Sequence, residues 1–297
     1  MSYQVIARKY RPQRFSDVVG QDHVSQTLAN AISTDRIAHA YLFCGPRGTG
    51  KTTLARIFAK CLNCTDGPKV DFPDDDPKAQ EIAGGRSMDV LEIDGASNRG
   101  IDEIRELRDT VMYAPASSKF KIYIIDEVHM LTKEAFNALL KTLEEPPEHV
   151  KFIFATTEIR KVPVTVLSRC QRFDLRRVDL EQLAEHFKWV SGEEGVAVDD
   201  DALHLIARAA DGSVRDGLSL LDQALAPGTD KLDAQAVRNM LGRADRAQVY
   251  DLFDQIMAGD IAGALERFDK MYNDGADPLV VLQDILDVVY WLTRIKT

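Results

Sequence analysis

Gly45-Pro46-Arg47-Gly48-Thr49-Gly50-Lys51-Thr52 decides the fold, because it fits G-x-x-x-x-G-K-[ST] at every fixed position. Immediately before it stands the short apolar run Ala40-Tyr41-Leu42-Phe43-Cys44, and an amphipathic stretch follows it. Strand, glycine-rich turn and helix in that order make a loop that cradles phosphate. The glycines let backbone N–H groups turn inward around phosphate oxygens, and the helix presents the positive end of its dipole. On this reading Lys51 reaches the β- and γ-phosphates, and the Thr52 hydroxyl ligates Mg²⁺ with Thr53 beside it.

A second strand ends in acid. In Ile122-Tyr123-Ile124-Ile125-Asp126 four apolar residues push a carboxylate out at the carboxyl end of a buried strand, where open α/β sheets bind ligands. Asp126 is expected to hold Mg²⁺ through water, and Glu127 beside it to polarise the attacking water as general base. A GTPase would carry an Asn-Lys-x-Asp base-recognition motif, and a small kinase would carry an acceptor lid. Neither pattern is present. The site is built for hydrolysis. Thr156 and Thr157, ending the Lys151-Phe152-Ile153-Phe154-Ala155 run, are candidates to orient the lytic water.

Outward from these motifs, short apolar runs alternate with amphipathic stretches up to Val178. With Val90-Leu91-Glu92-Ile93 they predict an α/β domain with a parallel sheet whose strands are buried on both faces, and Gln171-Arg172-Phe173-Asp174-Leu175 reads as a fifth, weaker strand. The stretch Thr65 to Gly85, with Pro68, Pro73, Pro77 and Asp74-Asp75-Asp76, reads as a surface excursion. Beyond Val178 strand-like runs stop. Asp179 and Asp201 are placed to cap helices, a third helix runs from Val214 to Ala226, a fourth ends at Gly242, and residues 243–297 offer three more. The expected division is residues 1–178, 179–242 and 243–297.

Of 297 residues, 45% are hydrophobic and 28% charged, a globular profile. No apolar run approaches the roughly 18–20 residues that cross a bilayer, so no membrane span is expected. Four cysteines in a chain of this length fit a reducing cytoplasm rather than a disulfide scaffold. A net charge of −10 excludes a surface basic all round, so any contact with DNA must be local.

With the two motifs in place, other segments carry a family resemblance. Arg8-Lys9-Tyr10-Arg11-Pro12 with Phe15-Ser16-Asp17-Val18-Val19-Gly20-Gln21 resembles the adenine-side box of AAA+ clamp loaders. Ile125-Asp126-Glu127-Val128-His129-Met130-Leu131, Asn137-Ala138-Leu139-Leu140-Lys141-Thr142-Leu143-Glu144-Glu145-Pro146-Pro147 and Ser168-Arg169-Cys170 bring the chain close to the tau/gamma family of bacterial DNA polymerase III. The resemblance is dense over residues 1–242 and looser beyond. It implies a RecA-like ATPase domain, a helical lid and a helical collar. The motor would bind ATP and Mg²⁺ within a hetero-pentameric ring of loader subunits, open a sliding clamp and place it on primer-template DNA.

By residue, the resemblance implies that Tyr10, Arg11, Pro12, Val18 and Val19 line the adenine pocket. Arg215, in the lid, would sense the γ-phosphate. Arg169, which alone reads as a solvated surface arginine, would complete the neighbouring subunit's site in trans. That role would account for an arginine with no partner in its own chain. A lone chain would then hydrolyse ATP poorly. Grip on the DNA backbone falls to Arg99 and Arg105, with Lys141 and Lys161 as weaker candidates.

The chain departs from the pattern in its cysteines. Family members carry four zinc-ligating cysteines after the P-loop helix, and here three are missing. Cys61 and Cys64 form one C-x-x-C pair without a second, so zinc is not expected. The collar is expected to run past Thr297 in the family, which implies weakened self-association. Two other readings are another AAA+ DNA motor, such as a branch-migration helicase, and a scaffold subunit of the same loader. The first calls for a winged-helix pattern after the lid, and the second for a degraded P-loop. The sequence has neither.

Overall fold

The computed structural model describes residues 4–97, 104, 107, 110–226, 231–241, 246–273 and 276–296. The chain divides into two compact units, one of Met1–Leu183 with Ala210–Ser219, the other of Ala184–Ala209 with Leu220–Thr297.

In the first unit, among the described residues, strands β1 (Ala40–Cys44), β2 (Val90–Asp94), β3 (Lys121–Asp126), β4 (Val150–Thr156) and β5 (Gln171–Asp174) form one sheet. Their order is β2-β3-β4-β1-β5 and every pairing is parallel. Alternation along the strands sorts the core onto two faces. Tyr41, Phe43, Ile122, Ile124 and Ile153 pack on one side with Leu54, Ile57 and Phe58 of helix α3 (Lys51–Asn63). Leu42, Tyr123, Ile125, Phe152 and Phe154 pack on the other with Phe136, Leu139 and Leu143 of the helix Lys133–Glu144. Tyr123 stacks on Phe152 at 5.4 Å between ring centroids, and Phe152 on Phe154 at 5.8 Å.

The register aligns the strand ends. Cys44 lies opposite Thr156, and Ile125 opposite Phe154. The phosphate loop, Asp126 and Thr156–Thr157 therefore leave the sheet at the same edge.

Several sequence expectations need correction. β2 is not buried on both faces: Leu91, Glu92 and Asp94 are exposed, because β2 is the outer strand of the order above. The Thr65–Gly85 stretch is not simply a surface excursion. It holds the helix Pro77–Ala83, and Phe72, Ala79 and Ile82 enter the core. Asp76 is buried and caps that helix, its carboxylate accepting from Ala79 N at 2.8 Å and Thr65 N at 2.9 Å. The acidic run thus splits, one carboxylate serving as a cap.

In the second unit, strands do recur after Val178. Ala197–Val198 pairs in parallel with Lys231–Leu232, a ladder too short to leave an apolar signature. Asp201 lies inside the helix Asp200–Ala209 rather than capping it. The third helix spans Val214–Leu225, and the next, Ala234–Met240, ends within the described residues, leaving Gly242 outside them. Helices Arg246–Ala258, Ile261–Asn273 and Pro278–Lys296 follow, packing through Val249, Leu252, Met271 and Val281. Among the described residues no helix is long and apolar enough to cross a membrane.

Candidate functional site

The loop between β1 and α3 takes a shape that only glycine tolerates. Gly48 and Gly50 have φ of 75° and 99°, in the left-handed region. A methyl group on Gly45 would meet the Leu175 carbonyl oxygen at 2.5 Å, and one on Gly48 would collide with the Ser213 hydroxyl. The Thr49 hydroxyl donates to the Pro46 carbonyl at 2.9 Å, closing the loop on itself. Arg47 is exposed at its tip.

Lys51 is buried, and its ammonium donates to the carbonyls of Gly45 at 3.0 Å and Pro46 at 2.7 Å. Burial holds its pKa below the ordinary lysine value, against the opposing pull of Glu127 and Asp126. The cation rests on the inner rim of the cradle. Thr52 Oγ1 donates to Asp126 Oδ2 at 2.6 Å, so a hydroxyl and a carboxylate, both hard oxygen donors, meet at one point. That donor set fits Mg²⁺.

Glu127 holds a left-handed backbone, φ 47° and ψ 44°, a strain of order 1–3 kcal/mol of the kind found at functional sites. Its Oε2 accepts from Thr157 Oγ1 at 3.1 Å and lies 3.3 Å from His129 Nδ1. His129 has no role in the sequence reading, yet its side chain is buried. Its Nδ1 is 3.0 Å from Thr156 Oγ1, and its Nε2 is 3.4 Å from Glu158 Oε1. Only its place two residues after the acidic pair hints at this. Thr156 is fully buried, its hydroxyl engaged by His129 and by the Glu158 amide. Thr157 alone of the two threonines addresses Glu127.

The adenine-side residues divide. Val18 is buried beside the loop, its Cγ1 3.9 Å from where a Gly50 methyl would sit, whereas Tyr10, Pro12 and Val19 are half-buried. Arg11 leans along α3, donating from Nε to Thr53 Oγ1 at 3.3 Å. Burial and the nearby Arg56 hold its pKa down against Glu92, and Arg215 adds to the lowering. Arg215 reaches the loop, its amide 3.5 Å from the Gly48 carbonyl. The sequence reading does not place these arginines near one another.

Arg169 departs from expectation. It has a partner in its own chain: it donates to Glu144 Oε1 at 2.6 Å and to the Thr165 carbonyl at 2.6 Å. The end of the helix Lys133–Glu144 and the turn Val164–Leu167 bring those groups within reach. Lys161 likewise pairs with Glu158 at 2.8 Å, while Lys141 is exposed on its helix. Arg99 and Arg105 lie outside the described residues.

The Cys61–Cys64 pair is turned inward. Cys61 Sγ donates to the Val70 carbonyl at 3.9 Å and Cys64 Sγ to the Cys61 carbonyl at 3.6 Å. Burial pushes both thiols up, Cys61 to about 12. Among the described residues no group of three or more His, Cys, Asp or Glu side chains is placed to hold a metal ion.

A parallel five-stranded sheet of this order, a complete phosphate loop and an acidic strand end define a RecA-like P-loop fold of the AAA+ class. The RuvB Holliday junction branch migration motor of Thermotoga maritima shares that fold, with a TM-score of 0.60 over 86% of this chain and 80% of that one, at 20% identity. Family models match along the chain: the DNA polymerase III delta subunit over residues 20–179, the clamp loader ATPase lid domain over 182–230, and domain III of the gamma and tau subunits over 232–297. The DNA polymerase III subunit tau of Escherichia coli K12 is 47% identical over 100% of this chain and 46% of its own length. That of Bacillus subtilis is 47% identical over 96% and 51%. Subunit gamma of Buchnera aphidicola from Acyrthosiphon pisum is 41% identical over 99% of this chain and 81% of its own. The chain belongs to the DNA polymerase III gamma and tau subunit family. It spans about half the length of the tau relatives it matches.

Proposed function

We propose that this chain is the ATP-hydrolysing motor subunit of a bacterial sliding-clamp loader. One observation carries the reading. Lys51, the Thr52–Asp126 pair at 2.6 Å and the Thr157–Glu127 pair at 3.1 Å converge on one sheet edge. Lys51 exchanges the Gly45 and Pro46 carbonyls for β- and γ-phosphate oxygens when the triphosphate enters. Thr52 and Asp126 hold Mg²⁺, which when bound neutralises charge developing on the phosphates. Glu127 accepts the proton of the attacking water, and Thr157 fixes the orientation of that carboxylate. Loop residues Gly45 to Thr53 cradle the phosphates, Arg215 reads their outer end, and Tyr10, Arg11, Pro12, Val18 and Val19 line the base side.

In this reading residues 1–178 are the motor, 179–242 the lid and 243–297 belong to the collar. The protein works in the cytoplasm with other loader subunits, a sliding clamp and primer-template DNA gripped by its backbone. Arg99, Arg105, Lys141 and Lys161 are the candidates for that grip. Arg169 acts in trans, so it must exchange Glu144 for the neighbour's nucleotide when the ring assembles. Zinc has no part in this reading: a structural site takes four ligands, and Cys61 and Cys64 supply two.

The Glu127→Gln variant is expected to bind Mg-ATP with unchanged affinity and to lose turnover by about 10²–10⁴-fold, the usual share of a general base. Steady-state ATPase rates with primed DNA and clamp test the loader assignment. Strong stimulation by both together supports it, and stimulation by DNA alone favours a branch-migration type of motor.

A further inference from the structure

Segment Arg11–Arg14 lies along α3 and is fastened to it at both ends. At the phosphate end Arg11 Nε donates to Thr53 Oγ1 at 3.3 Å. Two turns further on, Lys60 Nζ donates to Gln13 Oε1 at 2.9 Å, and Gln13 Nε2 donates to the Arg11 carbonyl at 2.8 Å. From the other side the Thr65–Gly85 stretch closes in. Arg14 donates to the Phe72 carbonyl at 2.7 Å and to Asp74 Oδ1 at 2.6 Å. The Phe72 ring faces both cations, 5.5 Å from Arg14 Cζ and 5.7 Å from Lys60 Nζ.

Lys60 is the part that stability alone does not explain. Only 4% of it is exposed, and burial holds its pKa below the ordinary lysine value. A buried ammonium costs desolvation that an amide oxygen and a ring face offset only in part. An unbranched apolar chain such as Met would fill the same channel without that cost. What the ammonium adds is direction: it fixes one amide oxygen, and through Gln13 it fixes the backbone of Arg11.

We propose that Lys60, Phe72 and Arg14 are positioning residues for nucleotide binding, holding the base-side segment in register with the phosphate loop. The Thr65–Gly85 stretch is then a brace behind the nucleotide site. Helix α3 serves both ends of the nucleotide, through Lys51 and Thr52 at its start and through Lys60 at its close. The inference rests on the reading of Tyr10, Arg11 and Pro12 as the base side of the site.

The test is calorimetric titration of the full chain with Mg-ATP and Mg-GTP, alongside ATPase rates at saturating ATP and thermal melts. Lys60→Met should melt at or above the parent temperature. It should weaken ATP binding about three- to tenfold, the scale of one ordinary intramolecular hydrogen bond, narrow the ATP-to-GTP preference and leave kcat within about twofold. Arg14→Gln, altered at a partly exposed side chain, should shift the same quantities in the same direction and carries the test should Lys60→Met fail to fold. Parent-like Kd and base preference in both variants overturns the proposal. Tyr10→Ala separates the two claims. If it changes base preference while the other variants do not, the brace alone fails. If it too leaves base preference unchanged, the base-side reading fails and the brace with it.

Discussion

The sheet of the first unit and the three helices that close the second treat apolar side chains in opposite ways. In the sheet, β1 and β4 are buried along their whole length, and Phe152 and Phe154 meet no solvent. In the helices, Ile261, Leu265, Leu286 and Trp291 are exposed by 73, 59, 58 and 58%. Pro278–Lys296 is apolar on more than one face. Val281, Ile285 and Val288 pack inward while Leu279, Leu282, Leu286 and Tyr290 face out. A helix apolar nearly all round is normally covered. The first region completes its own core, and the residues proposed to handle the nucleotide gather at its strand ends. The second leaves apolar surface open.

That contrast can be broken by making the same change in both places. Phe154→Ala should cost about 3–5 kcal/mol, the toll of emptying a packed aromatic site, read as a drop in denaturation midpoint. If the loss were under about 1 kcal/mol, the sheet would not be the close-packed region described. Asp89→Ala comes next. This buried carboxylate accepts from the amides of Ala116, Ser117 and Ser118 at 2.6, 2.8 and 2.8 Å, and its loss should cost roughly 2–3 kcal/mol. Burial alone would raise its pKa, but the amide donors prevail and hold it below the ordinary aspartate value. Its contribution is therefore present above about pH 4 and fades as pH falls through the lowered folded value. The stability gap between parent and Asp89→Ala should narrow on acidification, and a gap constant down to pH 2 contradicts the assignment. The smallest effect belongs to the helices. Trp291→Ala should change the stability of the isolated chain by no more than about 0.5 kcal/mol, and a larger loss would mean that this face is already covered.

Much of the candidate nucleotide site is legible in the chain, because its parts are local. Gly45 to Thr52 must be contiguous to wrap phosphate, and Asp126-Glu127 must follow a buried strand at once. Strands β1, β3 and β4 announced themselves as unbroken apolar runs. Less legible was whatever depends on elements distant in sequence. Arg169 meets Glu144 only because two helix ends converge, and Lys60 meets Gln13 only because the amino-terminal segment runs along α3. The exposure of β2 follows from its place at the sheet edge, though Glu92 in mid-strand was a local warning. Asp76 looked like one of three surface acids. Only the helix behind it turns it into a cap.

The most direct test of the account is calorimetric titration of Mg-ATP into the parent chain and into Lys51→Ala. The parent should bind one nucleotide per chain. Lys51→Ala should lose about 100-fold or more in affinity, since its ammonium makes charge-assisted contacts of about 1.5–3 kcal/mol each. Equal affinity in the two, or no heat in either, would contradict the claim that the loop from Gly45 to Thr52 is where the triphosphate binds.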